Sequence, residues 1–187
     1  VLLSAYLNYL MTGNLIDSKA SSIGHIPFDN KRGDWMRKND LTRCIFNVRD
    51  NQMCELIDPG EIIGYITKEA SKYLSVPEGL PLIATGSDKG CETLGLSVVS
   101  DDQAALSFGT TATIQFMTDK YMEPLPFLPA YSAVLKGYYN PEIQIYRGFW
   151  LVSWFKNQFC DKEKDEAVSK SIITEDVLNE KMKDVPA

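Results

Sequence analysis

Between Leu80 and Met117 the spacing of apolar residues changes period twice, and this restricts the fold more than any other stretch of the chain. Leu80-Pro81-Leu82-Ile83-Ala84 is a short apolar run bounded by turn residues, which reads as a buried strand. Gly86-Ser87-Asp88 follows as a tight turn, and Lys89 to Val98 carries helical spacing. Ala104 to Phe108 then predicts a second strand running into Gly109-Thr110-Thr111, with Ala112 to Met117 leaving as a third. A strand, turn and helix followed by a hairpin that turns on glycine and threonine points to a mixed α/β fold.

The flanking sequence fits that class. Leu3, Leu7, Leu10 and Met11 recur at helical spacing, and Thr12-Gly13 supplies a stop because glycine tolerates the left-handed conformation that closes a helix. Residues 14–34 are polar and turn-rich, with Ile26, Phe28 and Trp35 as core anchors, and 36–51 predicts at most a helix of uncertain limits. Thr67 is placed to cap a helix through Leu74, with Ala70, Tyr73 and Leu74 on its inner face, ended by Pro77 and Gly79. Pro124, Pro126 and Pro129 exclude helix from the next segment. Strands are expected at Ala133 to Tyr139 and Ile143 to Tyr146. After Gly148, a buried helix should carry Leu151, Trp154, Phe155 and Phe159, followed by solvated helices to the end. No internal repeat is visible, which excludes solenoids and propellers.

Composition narrows the function. With 187 residues, 44% of them hydrophobic, the chain can build one core or two small ones. A formal charge of −6 argues against a broad grip on nucleic acid or anionic lipid. No apolar run approaches the roughly 18 residues of a membrane-spanning helix, and the opening segment lacks the features of a secretory signal. Val1 opens directly into an amphipathic pattern, which suggests a start further upstream. Cys44, Cys54, Cys91 and Cys160 are scattered without Cys-x-x-Cys spacing, and His25 is the one histidine, so zinc is excluded and buried free thiols are expected. That thiol usage suits the cytoplasm rather than a cysteine-based redox role. His25, between Gly24 and Ile26, reads as a structural or surface residue.

Two features could carry chemistry. Asp88 stands where a predicted strand gives way to a helix, the place where open α/β sheets put ligands. Alone it reads first as an N-cap accepting a backbone N–H. Gly109-Thr110-Thr111 offers backbone N–H groups and two hydroxyls that could cradle a phosphate. Alone it is a hairpin needing positive φ at Gly109.

Taken together, Leu80-Pro81-Leu82-Ile83-Ala84-Thr85-Gly86-Ser87-Asp88-Lys89-Gly90-Cys91-Glu92-Thr93-Leu94-Gly95 and Ala104-Ala105-Leu106-Ser107-Phe108-Gly109-Thr110-Thr111 resemble, in order and spacing, the FGGY carbohydrate kinases. Tyr9-Leu10-Met11-Thr12-Gly13, Ala20-Ser21-Ser22, Phe28-Asp29 with Trp35, Glu61-Ile62-Ile63-Gly64 and the segment from Gly148 to Phe159 extend the likeness, which is nearest to the xylulokinase-like members. The resemblance implies an actin-like (ribonuclease H-like) ATPase fold, with residues 1–104 ending the sugar-binding domain and 105–187 opening the nucleotide-binding domain. It also implies ATP and Mg2+ as cofactors and a small sugar such as xylulose as substrate. Asp88 matches the catalytic base and a substrate contact, and Gly109, Thr110 and Thr111 match the second phosphate-binding hairpin. Gly148 falls one residue out of register with a nucleotide-contacting position. The family's first phosphate loop, metal-associated Asp and adenosine site have no counterpart, so the chain reads as the middle of a longer kinase and should be inactive alone. An actin-like domain cut mid-sheet should expose strand edges, which makes a homodimer conceivable. Lys89 departs from the pattern, replacing an amide that bonds sugar hydroxyls; as a second substrate-binding residue it would donate to hydroxyls or neutralise an acidic substrate, and it reads equally as part of a solvated helix N-terminus. Cys91, Glu92 and Thr93 replace small residues. These departures keep a second reading open, a non-catalytic sugar-binding or regulatory module with the kinase fold.

Overall fold

The computed structural model describes residues 2–24, 27–183 and 185, so His25 and Ile26, read above as a structural histidine and a core anchor, lie outside the described residues. The chain forms two compact units, one from residues up to 105 together with 114–143, the other from 106–113 together with the residues from 144 onward. No described helix is long and apolar enough to cross a membrane.

The first unit opens with α1 (Leu3–Thr12), closed as expected by Gly13, whose φ of 81° lets its N–H reach Tyr9 O at 2.8 Å. A strand follows at β1 (Ile16–Ser18), inside the segment that the sequence read as loop. Three residues are too few to show alternation, and the partner of β1 is a distant strand, residues 55–57. Buried Asp17 ties α1 to β1: it accepts from Ser4 Oγ and from Ser18 N, and Asn8 Nδ2 donates to Ile16 O at 2.9 Å. A buried carboxylate is tolerated only when its oxygens are satisfied in this way. The hairpin β2 (Phe28–Asp29) and β3 (Asp34–Trp35) then buries Phe28 and sets Trp35 edge-on to it, with Trp35 Nε1 donating to Cys54 O at 2.8 Å, so both predicted anchors hold.

The α-helix in 36–51 is the short α2 (Leu41–Phe46), ended by Asn47 in the left-handed region, and a single 3-10 turn follows at Asp50–Gln52. Parallel pairing joins β1 to β4 (Glu55–Ile57). After β5 (Ile62–Tyr65) comes α3 (Lys68–Leu74), capped by Thr67 Oγ1, which accepts from Ala70 N at 3.2 Å. Its inner face is narrower than expected: Ala70 is buried, but Tyr73 is 91% exposed and Leu74 half exposed. Strand β6 (Pro81–Ile83) pairs antiparallel with β5 and forms where the sequence placed it. It is not a buried central strand, since Leu80 and Ile83 are exposed and Ala84 alone of this run is deeply buried. Next is α4 (Asp88–Gly95).

Strands β7 (Ala105–Phe108) and β8 (Ala112–Gln115) form the expected hairpin arms. Residues 133–138, read as strand, are instead the turn between β9 (Tyr131–Ser132) and β10 (Tyr139–Asn140), made possible by Gly137 at φ 81°. With β11 (Glu142–Ile145) a three-stranded sheet runs in the order β11-β8-β7. In the second unit, α5 (Trp150–Phe159), α6 (Asp161–Lys170) and α7 (Thr174–Met182) follow in succession. The apolar side of α5 is not buried as expected, for Leu151, Trp154, Phe155 and Phe159 all remain at least 42% exposed. The cysteines are all free, with Cys54 and Cys160 buried but Cys44 and Cys91 exposed, so the expectation of buried thiols holds for two of the four. Burial pushes the Cys54 thiol up to about 11.

Candidate functional site

Asp88 is placed by a chain of close backbone contacts. Ala84 N donates to Glu61 O at 2.8 Å and Gly60 N to Ala84 O at 2.8 Å, which fix the exit of β6. Ser87 N then donates to Ala20 O at 3.0 Å. Gly86 passes so close to its neighbours that a Cβ there would lie 2.3 Å from Val134 Cγ1 and 2.8 Å from the Ala20 Cβ, and one on Gly90 would lie 3.3 Å from the same Val134 methyl. Gly86 is therefore required by close approach rather than by backbone angle, and Gly90 sits in a tight but more forgiving contact.

The cap of α4 is Ser87 and not Asp88. Ser87 Oγ accepts from Gly90 N at 3.1 Å, and Asp88 is the first helical residue, its Oδ1 accepting from Lys89 N at 2.7 Å and its side chain exposed. The capping explanation for an aspartate here is thereby removed. Ser87→Ala should cost about 1 kcal/mol of stability, read as a lower midpoint in denaturant, whereas Asp88→Ala should cost much less. An equal loss from both would put the cap back on Asp88.

The surroundings of Asp88 include residues that sequence reading missed. Lys89 Nζ pairs with Glu92 Oε2 at 2.8 Å, and this bond is the main reason that the ammonium titrates above the ordinary lysine range; desolvation opposes it, and Glu92, Asp88 and Glu142 add attraction. Lys89 is thus already engaged by a carboxylate. Its carbonyl accepts from Thr93 Oγ1 at 2.8 Å and from Gln115 Nε2 at 3.2 Å, both side chains fully buried. Gln115 had one signal in the sequence: it stands in phase with the inward-facing Thr113 and Met117 of its strand, where an amide needs a partner. Glu142 had none.

Burial raises the Glu142 carboxyl above the ordinary glutamate range; Lys89 pulls it back and Asp88 pushes it further up. A carboxylate raised on folding stabilises the native state at low pH and loses that contribution as pH rises through its folded value. Glu142→Gln should therefore be more stable than the unsubstituted protein at neutral pH, and the difference should vanish below the ordinary glutamate range. Thermal unfolding of both across pH checks this, and a gap that widens in acid would refute it.

The remaining predicted residues meet in the second unit. Gly148 N donates to Thr110 O at 2.7 Å, Phe149 N to Gly109 O at 2.9 Å, and Gly109 N to Thr111 O at 2.9 Å, so the turn and the approach to α5 form one backbone cluster. Gly109 does not have the positive φ expected of it. The glycine requirement lies at Gly148 instead, where a Cβ would sit 2.5 Å from Gly109 O, 2.5 Å from the Thr111 carbonyl carbon and 2.8 Å from Ala112 N. Thr110 is exposed and Thr111 partly so, and among the described residues their hydroxyls have no hydrogen-bond partner. An open glycine edge with two unspent hydroxyls fits the oxygens of a phosphate. Among the described residues no three His, Cys, Asp or Glu side chains group closely enough to hold a metal ion by themselves; Mg2+ bound with a nucleotide draws most of its ligands from phosphates and water.

No family model matches the chain. It is 30% identical over 185 residues to the uncharacterized sugar kinase YgcE of Escherichia coli K12, covering 98% of this chain and 37% of that protein. It is 26% identical over 190 residues to the autoinducer-2 kinase of Photorhabdus laumondii, covering 100% and 35%. Among solved structures, the xylulose kinase of Rhodospirillum rubrum superposes with a TM-score of 0.78 at 17% identity over 98% of this chain and 35% of that one, a likeness that shows the actin-like ATPase fold. The chain spans about a third of the length of the curated relatives it matches. Alignment along nearly the whole chain with sugar kinases, on a fold that carries the Asp88 turn and the Gly109 hairpin in the expected elements, makes this chain a member of the FGGY family of carbohydrate kinases.

Proposed function

We propose that the protein to which this chain belongs transfers the γ-phosphoryl group of ATP to a hydroxyl of a small sugar, a pentulose such as xylulose, in the cytoplasm. The observation that carries the reading is the release of Asp88 from capping: Ser87 closes the helix end, which leaves an exposed carboxylate on the first turn of α4. Phosphoryl transfer has a loose transition state, so aiming the attacking hydroxyl matters at least as much as removing its proton. Asp88 accepts the hydrogen bond of that hydroxyl and takes its proton as the bond to phosphorus forms. Gly109, Thr110 and Thr111 hold the β- and γ-phosphate oxygens through backbone N–H and hydroxyl groups, and Gly148 braces that turn from behind. Residues 1–104 belong to the sugar-binding domain and 105–187 to the nucleotide-binding domain. ATP supplies the transferred group when bound, and no side chain of this chain is assigned to Mg2+.

Lys89 is paired with Glu92 on the first turns of α4, so an acidic sugar would have to compete with that carboxylate for it. The test is a coupled assay of ADP release by the whole protein with ATP over pentuloses, hexoses and polyols. Release with a neutral ketopentose is the expected result. A whole protein that binds such a sugar yet releases no ADP with any of them would instead be the non-catalytic module.

A further inference from the structure

A cavity of about 440 Å³ lies in the first unit, remote in sequence from every residue assigned above, and its charge sets it apart from the acidic chain around it. Lys38, Arg43 and Arg49 line it against a single carboxylate, Asp50, which leaves an excess of two positive charges on a protein whose net charge is −6. Cations brought together repel one another, and one carboxylate cannot balance three.

The cluster is held in place rather than loosely gathered. Arg43 is buried, with one guanidinium nitrogen donating to Met36 O at 2.8 Å and the other to Asp50 Oδ1. Asp50 takes Lys38 Nζ on its second oxygen at 2.6 Å, and chiefly through that bond its carboxyl stays below the ordinary aspartate range. Both oxygens of Asp50 are thus occupied, while Arg49 is exposed and, among the described residues, its guanidinium has no acceptor. The turn between α2 and Asp50 carries Asn47 in the left-handed region, which brings Arg49 round to the side where Lys38 and Arg43 stand.

We propose that this cavity binds a phosphate-bearing small molecule, its phosphate seated against Arg49, Lys38 and Arg43. A phosphate dianion matches the excess charge, and guanidinium donors meet its oxygens in pairs. The space exceeds what a lone phosphate occupies, so the organic part of a phosphate ester has room beside it. This site does not depend on the kinase reading and shares no lining residue with the surroundings of Asp88 or with the Gly109 turn.

The test uses the whole protein and the exposed positions, since Arg43 is buried and its replacement would threaten folding. Calorimetric titrations with inorganic phosphate, a pentose 5-phosphate and a neutral pentose are compared between the unsubstituted protein and the Lys38→Gln/Arg49→Gln double variant. The variant should bind phosphate at least about tenfold more weakly, the loss of roughly one charge-assisted contact, while neutral pentose affinity and any ATP-dependent turnover stay unchanged. A larger loss for the ester than for phosphate identifies a phosphorylated metabolite as the ligand; equal losses identify free phosphate. Phosphate binding that is the same in both proteins, or a parallel loss of pentose binding, would overturn the assignment.

Discussion

Asp88→Asn in the whole protein should lower turnover by about 10²- to 10⁴-fold, the usual contribution of a positioned general base. The amide keeps the size and planarity of the side chain but cannot take the proton of the attacking hydroxyl. Two companion measurements separate chemistry from structure. Because Ser87 caps the helix and, among the described residues, the Asp88 side chain hydrogen-bonds the adjacent Lys89 N–H alone, the variant should unfold at nearly the same temperature as the unsubstituted protein. Because the Gly109 turn, proposed to hold the phosphates, is a backbone cluster that shares no hydrogen bond with Asp88, ATP affinity should change little. Near-normal turnover would remove Asp88 from the mechanism, whereas lost turnover with a lower unfolding temperature would point to a structural part in α4.

Gly148→Ala is the second large effect. Its Cβ would be driven into three backbone atoms, Gly109 O and the Thr111 carbonyl carbon at 2.5 Å and Ala112 N at 2.8 Å, none of which can move aside as the tip of a long side chain can. Forcing one methyl into a closed site typically costs about 1–3 kcal/mol, and backbone overlap belongs at the upper end of that range. The two bonds from Gly148 N and Phe149 N to the turn carbonyls would be strained together, so nucleotide affinity in the whole protein should fall along with stability. Gly109→Ala provides the contrast. The nearest atom to its Cβ would be Thr111 O at 3.9 Å and its φ is not positive, so the fold should accept it. If phosphate packs against that glycine, Gly109→Ala weakens ATP binding without lowering the unfolding temperature. If Gly148→Ala unfolds and binds nucleotide as the unsubstituted protein does, the cluster has been misread.

Features that could be read in advance were those set by local chemistry. The Gly13 stop, the Thr67 cap, the turn after β6 and the hairpin on glycine and threonine each follow from residues within one turn of each other. What escaped depends on distant partners. Strand β1 exists because β4 pairs with it, and nothing within its own three residues announces that. The predicted strand around Ala133 to Tyr139 is apolar enough to mislead, yet Gly137 folds it into a turn. At the site, Ser87 and Asp88 are adjacent and both good caps, so the sequence could not decide between them; the backbone placed Ser87 in the β region and Asp88 in the helix. Glu142 reaches the neighbourhood of Asp88 from more than fifty residues away, through burial that composition does not reveal.

Val134 touches α4 where neither Gly86 nor Gly90 has a side chain to intervene, and it stands in the turn between β9 and β10. The turn therefore works as a stop against which the aspartate-bearing helix is seated. Trimming that valine to alanine would let the helix settle inward, and enlarging it would push the helix out, in either case shifting the carboxylate without altering it. Substitution at this one valine thus moves the carboxylate of α4 while leaving the residues around it unchanged.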